Sequence, residues 1–248
     1  MTTQQDVVFL LDVDNTLLDN DQIVADLQCH LERRIGLASA SRYWTIFEAL
    51  RGERGYADYL GALQRYRIDA ERRRCDDPEL LRMSTFLIDY PFLDRLYPRA
   101  LDAVERLNAF GPTVILSDGD VVFQPRKVQQ SGLWDAVGGR VLIYAHKEQM
   151  LDAVQHHFPA RHYVKVDDKL RILAAMKRVL RERLTTVFPR QGHYALDPAN
   201  VAAYPAAQFV LERIGELVDC DIQALLGSAR VNGRASTAQP RQKQGHEI

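Results

Sequence analysis

Groups that can do chemistry follow short apolar segments at four places in the 248-residue chain. They are Asp12 with Asp14, Ser117, Lys147, and Asp167 with Asp168. Several carboxylates in one small volume repel one another, and a hard divalent cation that prefers oxygen ligands, such as Mg²⁺, removes that cost. A cation held in this way also attracts phosphate oxygens. The residue types therefore predict a magnesium site that handles a phosphoryl group.

Phosphoryl transfer depends mainly on positioning and on charge neutralisation, and each group has a place in it. One carboxylate can attack as a covalent nucleophile, while a second protonates the leaving oxygen and then activates water. Lys147 would add a positive charge and Ser117 a hydroxyl donor. Backbone amides of residues 14–16 and of Asp118 with Gly119 are expected to complete an anion-binding nest.

Six short apolar segments predict strands buried on both faces of a sheet. They span residues 7–11, 113–116, 140–144, 162–166, 185–188 and 208–211. Helices are predicted between them, including 98–108, 125–131, one beginning at Lys147, and 170–184. This alternation is typical of an α/β protein with a parallel sheet between two helical layers, a three-layer Rossmann-like core. Ligands bind at the carboxyl ends of such strands, where all four groups would meet.

Residues 19–96 interrupt this alternation after the first strand. Apolar side chains recur there at helical spacing among many arginines, which predicts an inserted α-helical cap domain. The core would then comprise residues 1–18 and 97–227. Residues 228–248 have almost no apolar content, so a disordered tail is predicted.

The composition argues against several classes of function. The formal net charge is −1, so no broad attraction to nucleic acid or to an acidic membrane surface is expected. The three cysteines lack a CxxC spacing, which argues against a disulfide framework and a zinc site. No apolar run approaches the roughly 18 residues of a membrane span, and the N-terminus is polar. We expect a cytoplasmic monomer or homodimer with a small-molecule phosphate substrate.

The segment Asp12-Val13-Asp14-Asn15-Thr16 resembles the DxDxT motif of the haloacid dehalogenase-like superfamily. Ser117, Lys147 and the pair Asp167-Asp168 resemble its second, third and fourth motifs, in the same order. The resemblance covers residues 7–226, with the helical block where this family carries its first-type cap.

This resemblance implies a role for each group. Asp12 would be phosphorylated, and Asp14 would be the acid and base. Ser117 and Lys147 would bind the phosphoryl oxygens together with the turns at Thr16 and Asp118, and the Thr16 hydroxyl would also fix the loop. Asp12, Asp14, Asp167 and Asp168 would hold Mg²⁺, and either acid of the last pair could be the direct ligand.

Several alternatives remain open at this point. The dehalogenases of the superfamily lack an aspartate at position 14 and need no metal, so Asp14 favours phosphate chemistry. Many relatives carry a later acid where this chain has Arg171 and Ile172. Lys127 and Lys165 compete with Lys147 for the third motif. A phosphotransferase or phosphomutase, a haloacid dehalogenase and a non-catalytic phosphate-binding module are the alternative functions.

Overall fold

A computed structural model describes residues 4–72 and 80–226 of the chain. Its strands form one six-stranded parallel sheet in the order β3-β2-β1-β4-β5-β6. The strands are β1 (Gln5–Leu11), β2 (Thr113–Asp118), β3 (Val141–Tyr144), β4 (Ala160–Val166), β5 (Leu184–Pro189) and β6 (Phe209–Leu211). All six predicted strands are present, and the α/β prediction is confirmed.

The sheet is buried on both faces because its central strands are apolar throughout. Phe9 and Leu11 of β1 pack into one hydrophobic cluster, whereas Val8 and Leu10 pack into another, as the alternation of side chains along a strand requires. Helices cover both faces, so the core has three layers. The helices after the first strand, in chain order, are α1 (Asn20–Arg54), α2 (Tyr59–Arg72), α3 (Leu80–Ile88), α4 (Ala100–Asn108), α5 (Phe123–Gln130), α6 (Leu133–Ala136), α7 (Leu151–His157), α8 (Leu170–Leu180), α9 (Gly192–Leu196) and α10 (Pro198–Ala202).

Two predicted helices differ from the structure by four residues at one end. The helix predicted over 170–184 ends at Leu180, and a 3₁₀ turn over Arg181–Arg183 leads into β5. Arg181 has φ of +50°, which a helix cannot continue through. Lys147 lies in a 3₁₀ turn, Lys147–Gln149, and the α-helix begins only at Leu151.

The helical segment, which we define as residues 20–88, lies between β1 and β2 along the chain. Its longest helix, α1, is interrupted at Gly36, where φ is +78° and ψ is 163°. Rings of Phe47 and Tyr59 stack at 4.8 Å, and Tyr59 meets Phe123 of α5 edge-on at 5.4 Å. The segment therefore packs directly on the helix that follows β2. Its division as a separate cap domain stays a prediction, and the tail predicted over 228–248 lies outside the described residues.

Two neighbouring chain segments join the helical segment to the sheet. Leu18 forms a parallel bridge with Asp14 and an antiparallel bridge with Leu96. The amide of Tyr97 donates to the carbonyl of Leu17 at 2.9 Å, and the amide of Asp19 donates to the carbonyl of Arg95 at 2.8 Å. The chain segments that enter and leave the helical segment thus form a short ribbon beside the loop that follows β1. Among the described residues, no helix has both the length and the apolar character that crossing a bilayer requires.

Candidate active site

The carboxyl ends of β1 and β4 bring Asp12 and Asp167 to a single buried ammonium group. Lys147 Nζ lies 2.5 Å from Asp12 Oδ1 and 2.8 Å from Asp167 Oδ2. Burial alone would lower the pKa of Lys147, but the carboxylates of Asp12 and Asp167 outweigh it and hold that pKa well above its usual value. The structure thus places Lys147, among the three candidate lysines, on Asp12.

Lys165 is buried within β4 and has a different set of partners. Its Nζ lies 3.1 Å from Asp167 Oδ2 and donates to the carbonyl of Leu116 at 3.2 Å. Burial would raise the pKa of Asp167, but Lys147 and Lys165 outweigh it and lower that pKa below its usual value. Asp167 is therefore an ionised group held between two lysines.

Among the residues that the structure describes, Asp168 has no lysine partner of this kind, and its buried carboxylate most needs a cation. Both of its carboxylate oxygens, and Oδ2 of Asp12, are buried without a hydrogen-bond partner among the described residues. Burial first, and then the charges of Asp167 and Asp12, raise the pKa of Asp168 well above its usual value despite the opposing charge of Lys169. One oxygen each from Asp12, Asp167 and Asp168 lie within 4.8 Å of one another. This all-oxygen set fits a hard divalent cation such as Mg²⁺.

Asp14 is held by two residues of α5. Lys127 Nζ lies 2.6 Å from Asp14 Oδ1, and Gln124 Nε2 donates to Asp14 Oδ2 at 3.3 Å. Lys127 is buried and also donates to Asn20 Oδ1 at 3.0 Å. Lys127 is thus a partner of the second acid, a role that the sequence reasoning missed. Its signal was the i, i+3 spacing of Gln124 and Lys127, which places both on one face of a helix.

The remaining predicted phosphate-binding side chains, Thr16, Ser117 and Asp118, each contact another residue of the site. The Thr16 hydroxyl accepts from the amide of Asp168 at 3.0 Å, which ties the two acidic loops together. Ser117 Oγ accepts from Gln124 Nε2 at 3.0 Å, and Asp118 Oδ1 accepts from the amide of Lys147 at 2.7 Å. The structure brings all the predicted residues to one sheet edge, and their phosphate-binding roles stay predictions.

Three of the five amides in the predicted anion nest are already used in hydrogen bonds, so this part of the prediction needs a correction. The amides of Asn15 and Thr16 donate to the carbonyls of Leu18 and Val13, at 2.7 and 3.2 Å, and that of Gly119 donates to Tyr144 at 2.9 Å. These three amides close the local turns and bridges instead of pointing to a ligand. An anion at this site must therefore rely more on side-chain cations.

One such cation, Lys169, was also missed. Its side chain lines a cavity of about 540 Å³ together with Asp14 and Asp118. Burial would lower the pKa of Lys169, but Asp168 and Asp12 outweigh it and raise that pKa above its usual value. Lys169 Nζ lies 4.9 Å from the ring centroid of Tyr194. A lysine directly after two strand-end acids was the available signal.

A cluster of polar contacts fixes the loop after β1 from its outer side. Asn15 Nδ2 donates to Asp21 Oδ1 at 2.9 Å, and the amide of His193 donates to Asp21 Oδ2 at 2.8 Å. His193 Nδ1 lies 2.6 Å from Asp21 Oδ1. Gly192, at φ +72°, packs so closely that a Cβ there would lie 2.4 Å from Asn15 Cβ. The loop that carries both acids is thus held in place by α1 and by α9, the short helix after β5.

The model of the haloacid dehalogenase-like hydrolase family matches residues 7–179, which include the acids and lysines of the site from Asp12 to Lys169. The chain belongs to the haloacid dehalogenase-like hydrolases. No curated protein matches it. A haloacid dehalogenase-like hydrolase of Burkholderia xenovorans LB400 is 64% identical, with 88% of this chain and 99% of that chain covered and a TM-score of 0.82.

More distant haloacid dehalogenase-like structures share the fold. The HAD-hydrolase YfnB of Bacillus subtilis, solved with magnesium, is 14% identical, with 87% and 98% of the two chains covered and a TM-score of 0.54. The L-2-haloacid dehalogenase of Xanthobacter autotrophicus is 20% identical, with 86% and 96% covered and a TM-score of 0.54. The fold therefore accommodates both a magnesium-bound protein and a dehalogenase, and the choice between them depends on this chain's own residues.

Proposed function

We propose that this hydrolase is a Mg²⁺-dependent phosphatase that cleaves a small-molecule phosphate monoester through an aspartyl-phosphate intermediate on Asp12. The single observation that carries the proposal is Asp14. Asp14 lies two residues after Asp12 in the chain and lines the same cavity as Asp118 and Lys169. Lys127 and Gln124 hold its carboxylate in place. A positioned second acid is what protonation of an alcohol leaving group requires.

The buried acids support the metal part of the proposal. Asp168 and Oδ2 of Asp12 would hold the ion, since both oxygens of Asp168 and that oxygen of Asp12 lack hydrogen-bond partners among the described residues. When bound, Mg²⁺ would supply charge neutralisation for the phosphoryl oxygens and for the attacking carboxylate. Asp167 would act mainly by holding Lys147 and Lys165 in place, since its Oδ2 already contacts both ammonium groups.

The residues suggest the following steps. A carboxylate oxygen of Asp12 attacks phosphorus, the bond from phosphorus to the ester oxygen breaks, and Asp14 gives its proton to the departing alcohol. Water then attacks the phosphorus of the aspartyl phosphate, and Asp14 accepts its proton while inorganic phosphate leaves and Asp12 is regenerated. Lys147 and Lys169 would offset the negative charge that collects on the phosphoryl oxygens.

The cavity volume supports a small substrate. A space of about 540 Å³ is within the range of small-molecule sites, and the helical segment forms much of its wall. We propose that this segment acts as a cap that keeps bulk water from the first step.

Turnover of p-nitrophenyl phosphate and of a panel of metabolite phosphates in Mg²⁺ tests the proposal. We expect Asp12→Asn and EDTA each to abolish turnover, whereas Asp6→Asn at an exposed position should leave it unchanged. Inorganic phosphate should appear in step with the alcohol, and a shortfall would indicate a phosphotransferase or phosphomutase. Chloride release from 2-chloropropionate, together with no phosphate release from any ester, would replace the proposal with a dehalogenase.

A further inference from the structure

The wall of the cavity that the helical segment contributes is rich in aromatic rings and has one arginine. We infer that this wall is a leaving-group subsite for a planar aromatic body carrying a carboxylate, bound by Arg51, so that the substrate class is aromatic carboxylates phosphorylated on a ring hydroxyl. This inference rests on the proposed phosphatase function for the phosphoryl part of the substrate. The subsite itself rests on residues distinct from the acids and lysines described above.

Planar groups are the natural occupants of this wall. Seven aromatic residues line the cavity, namely Trp44, Phe47, Tyr56, Tyr59, Phe188, Tyr194 and Tyr204. Trp44 and Phe47 meet edge-on at 5.3 Å, and Phe47 stacks on Tyr59 at 4.8 Å, so these three rings are contiguous. Aromatic pairs of this kind stabilise a complex beyond the apolar area that they bury. A flexible alkyl chain would leave that contribution unused.

The anionic group is indicated by Arg51. Trp44, Phe47 and Arg51 follow the i, i+3, i+7 spacing of one face of α1. Arg51 Nη2 donates to the Tyr194 hydroxyl at 2.7 Å, so it reaches from the helical segment to the turn after β5. Its other contact, to Glu48 at 3.2 Å, is an exposed i, i+3 ion pair of the kind that contributes little and is readily displaced. Arg51 therefore keeps donors for a planar carboxylate.

Two further observations, one on Trp44 and one on Tyr194, support a ligand in this subsite. Trp44 Nε1 is a buried donor with no acceptor among the described residues, and Trp44 is one of the residues that line the cavity. Tyr194 lies between two cations, with its hydroxyl on Arg51 and its ring face 4.9 Å from Lys169 Nζ. A ligand with an anionic group at each end of a ring would satisfy both cations, with the phosphoryl group at the Lys169 end and the carboxylate at the Arg51 end.

Binding of 4-hydroxybenzoate tests the subsite without any need for turnover. The chain has two tryptophans, Trp44 and Trp134, so Trp134→Phe leaves Trp44 as the only indole reporter. In that background we expect 4-hydroxybenzoate to change Trp44 fluorescence saturably, and phenol to bind at least about tenfold more weakly. Arg51→Met should weaken 4-hydroxybenzoate binding about 10- to 100-fold, with Arg51→Lys between the two.

Arg42→Met is the matched control, because Arg42 lies on the same helix but pairs with Asp69 at 2.9 Å. It should leave the affinity for 4-hydroxybenzoate unchanged. Equal affinities of the parent and Arg51→Met, or no saturable response in the parent, would overturn the subsite.

Kinetics of the full enzyme complete the test. We expect the kcat/KM for 4-carboxyphenyl phosphate to exceed that for phenyl phosphate at least about tenfold, and Arg51→Met to remove this preference through KM. An equal loss on both esters would overturn Arg51 as the specificity residue. If 4-hydroxybenzoate binds through Arg51 but no phosphate ester is hydrolysed, the proposed function fails and the subsite stands. If p-nitrophenyl phosphate is hydrolysed but 4-hydroxybenzoate does not bind, the reverse holds.

Discussion

The ammonium group of Lys127 lies 2.6 Å from Oδ1 of Asp14, and the lysine side chain is almost completely buried. A buried lysine needs a fixed partner, since an unpaired charge in this position would be costly. Asp14 is therefore locked to α5 and is not free to turn in the cavity. We call Lys127 a positioning residue for the proposed acid and base.

Lys127→Met should slow the hydrolysis of alkyl phosphates about 10- to 100-fold in kcat, because positioned proton transfer contributes about 10²–10⁴ in rate. The loss should be smaller for p-nitrophenyl phosphate, whose leaving group needs little protonation. Lys127→Arg should recover part of the rate. Equal losses on both esters, with an unchanged melting temperature, would contradict the positioning role.

Asp168→Asn should remove the response of the protein to Mg²⁺. Both oxygens of Asp168 are buried without a hydrogen-bond partner in the described part of the chain, so this carboxylate most needs a cation. A ligand that binds only the folded state stabilises it by about 2.7 kcal/mol at 100 times its dissociation constant. Differential scanning fluorimetry should therefore show a Mg²⁺-dependent rise in melting temperature for the parent and for the exposed control Asp152→Asn. A full rise in Asp168→Asn would rule out Asp168 as the main ligand.

Gly192→Ala should disturb the loop after β1 from a distance. Gly192 and Gly132 both have left-handed backbones, with φ of +72° and +80°, but only at Gly192 would a Cβ collide with Asn15. Each substitution should lower the free energy of unfolding by about 1–2 kcal/mol, because alanine disfavours this left-handed backbone conformation. Gly192→Ala should in addition lower kcat about tenfold or more, since sub-ångström placement of catalytic groups matters. Denaturant unfolding and kinetics separate the two effects, and equal kcat values in both variants would contradict this role of Gly192.

His162 should make the protein less stable in mild acid. Its ring contacts Thr185 Oγ1 at 2.9 Å, and burial, with the nearby charges of Lys177 and Arg183, lowers its pKa to about 4. The unfolded chain takes up this proton near pH 6.5. Because the unfolded state then binds more protons, stability falls as pH drops from about 6.5 towards 4, by up to about 2–3 kcal/mol. His162→Gln should flatten this part of the curve in urea unfolding. An unchanged slope would show that other groups cause it.

The fold and most of the site could be predicted from sequence because both depend on local patterns. Apolar segments of four or five residues define buried strands, and acids or hydroxyls that end them must meet at one edge. This reasoning located Asp12, Ser117 and Asp167 correctly at the sheet edge. The end of α8 could not be predicted in the same way, since the helical pattern continues through Arg181, where the backbone turns left-handed.

The partners of the acids were harder to predict than the acids themselves. Lys127 and Lys165 appeared only as competitors of Lys147, and Lys169 was missed, because sequence spacing does not say which carboxylate each lysine reaches. Only the packing of α5 against the β1 loop assigns Lys127 to Asp14. Lys165 could have been found, since a lysine inside a strand buried on both faces requires an anionic or carbonyl partner.

A short ribbon joins the two ends of the helical segment and would serve as their common pivot. It is formed by Leu17, Leu18, Leu96 and Tyr97. That pivot is bridged to Asp14 itself through Leu18. Any rotation of the helices that widens or narrows the entrance would therefore also turn the backbone on which the second acid sits. Access of substrate and the placement of the second acid would then be linked through this ribbon.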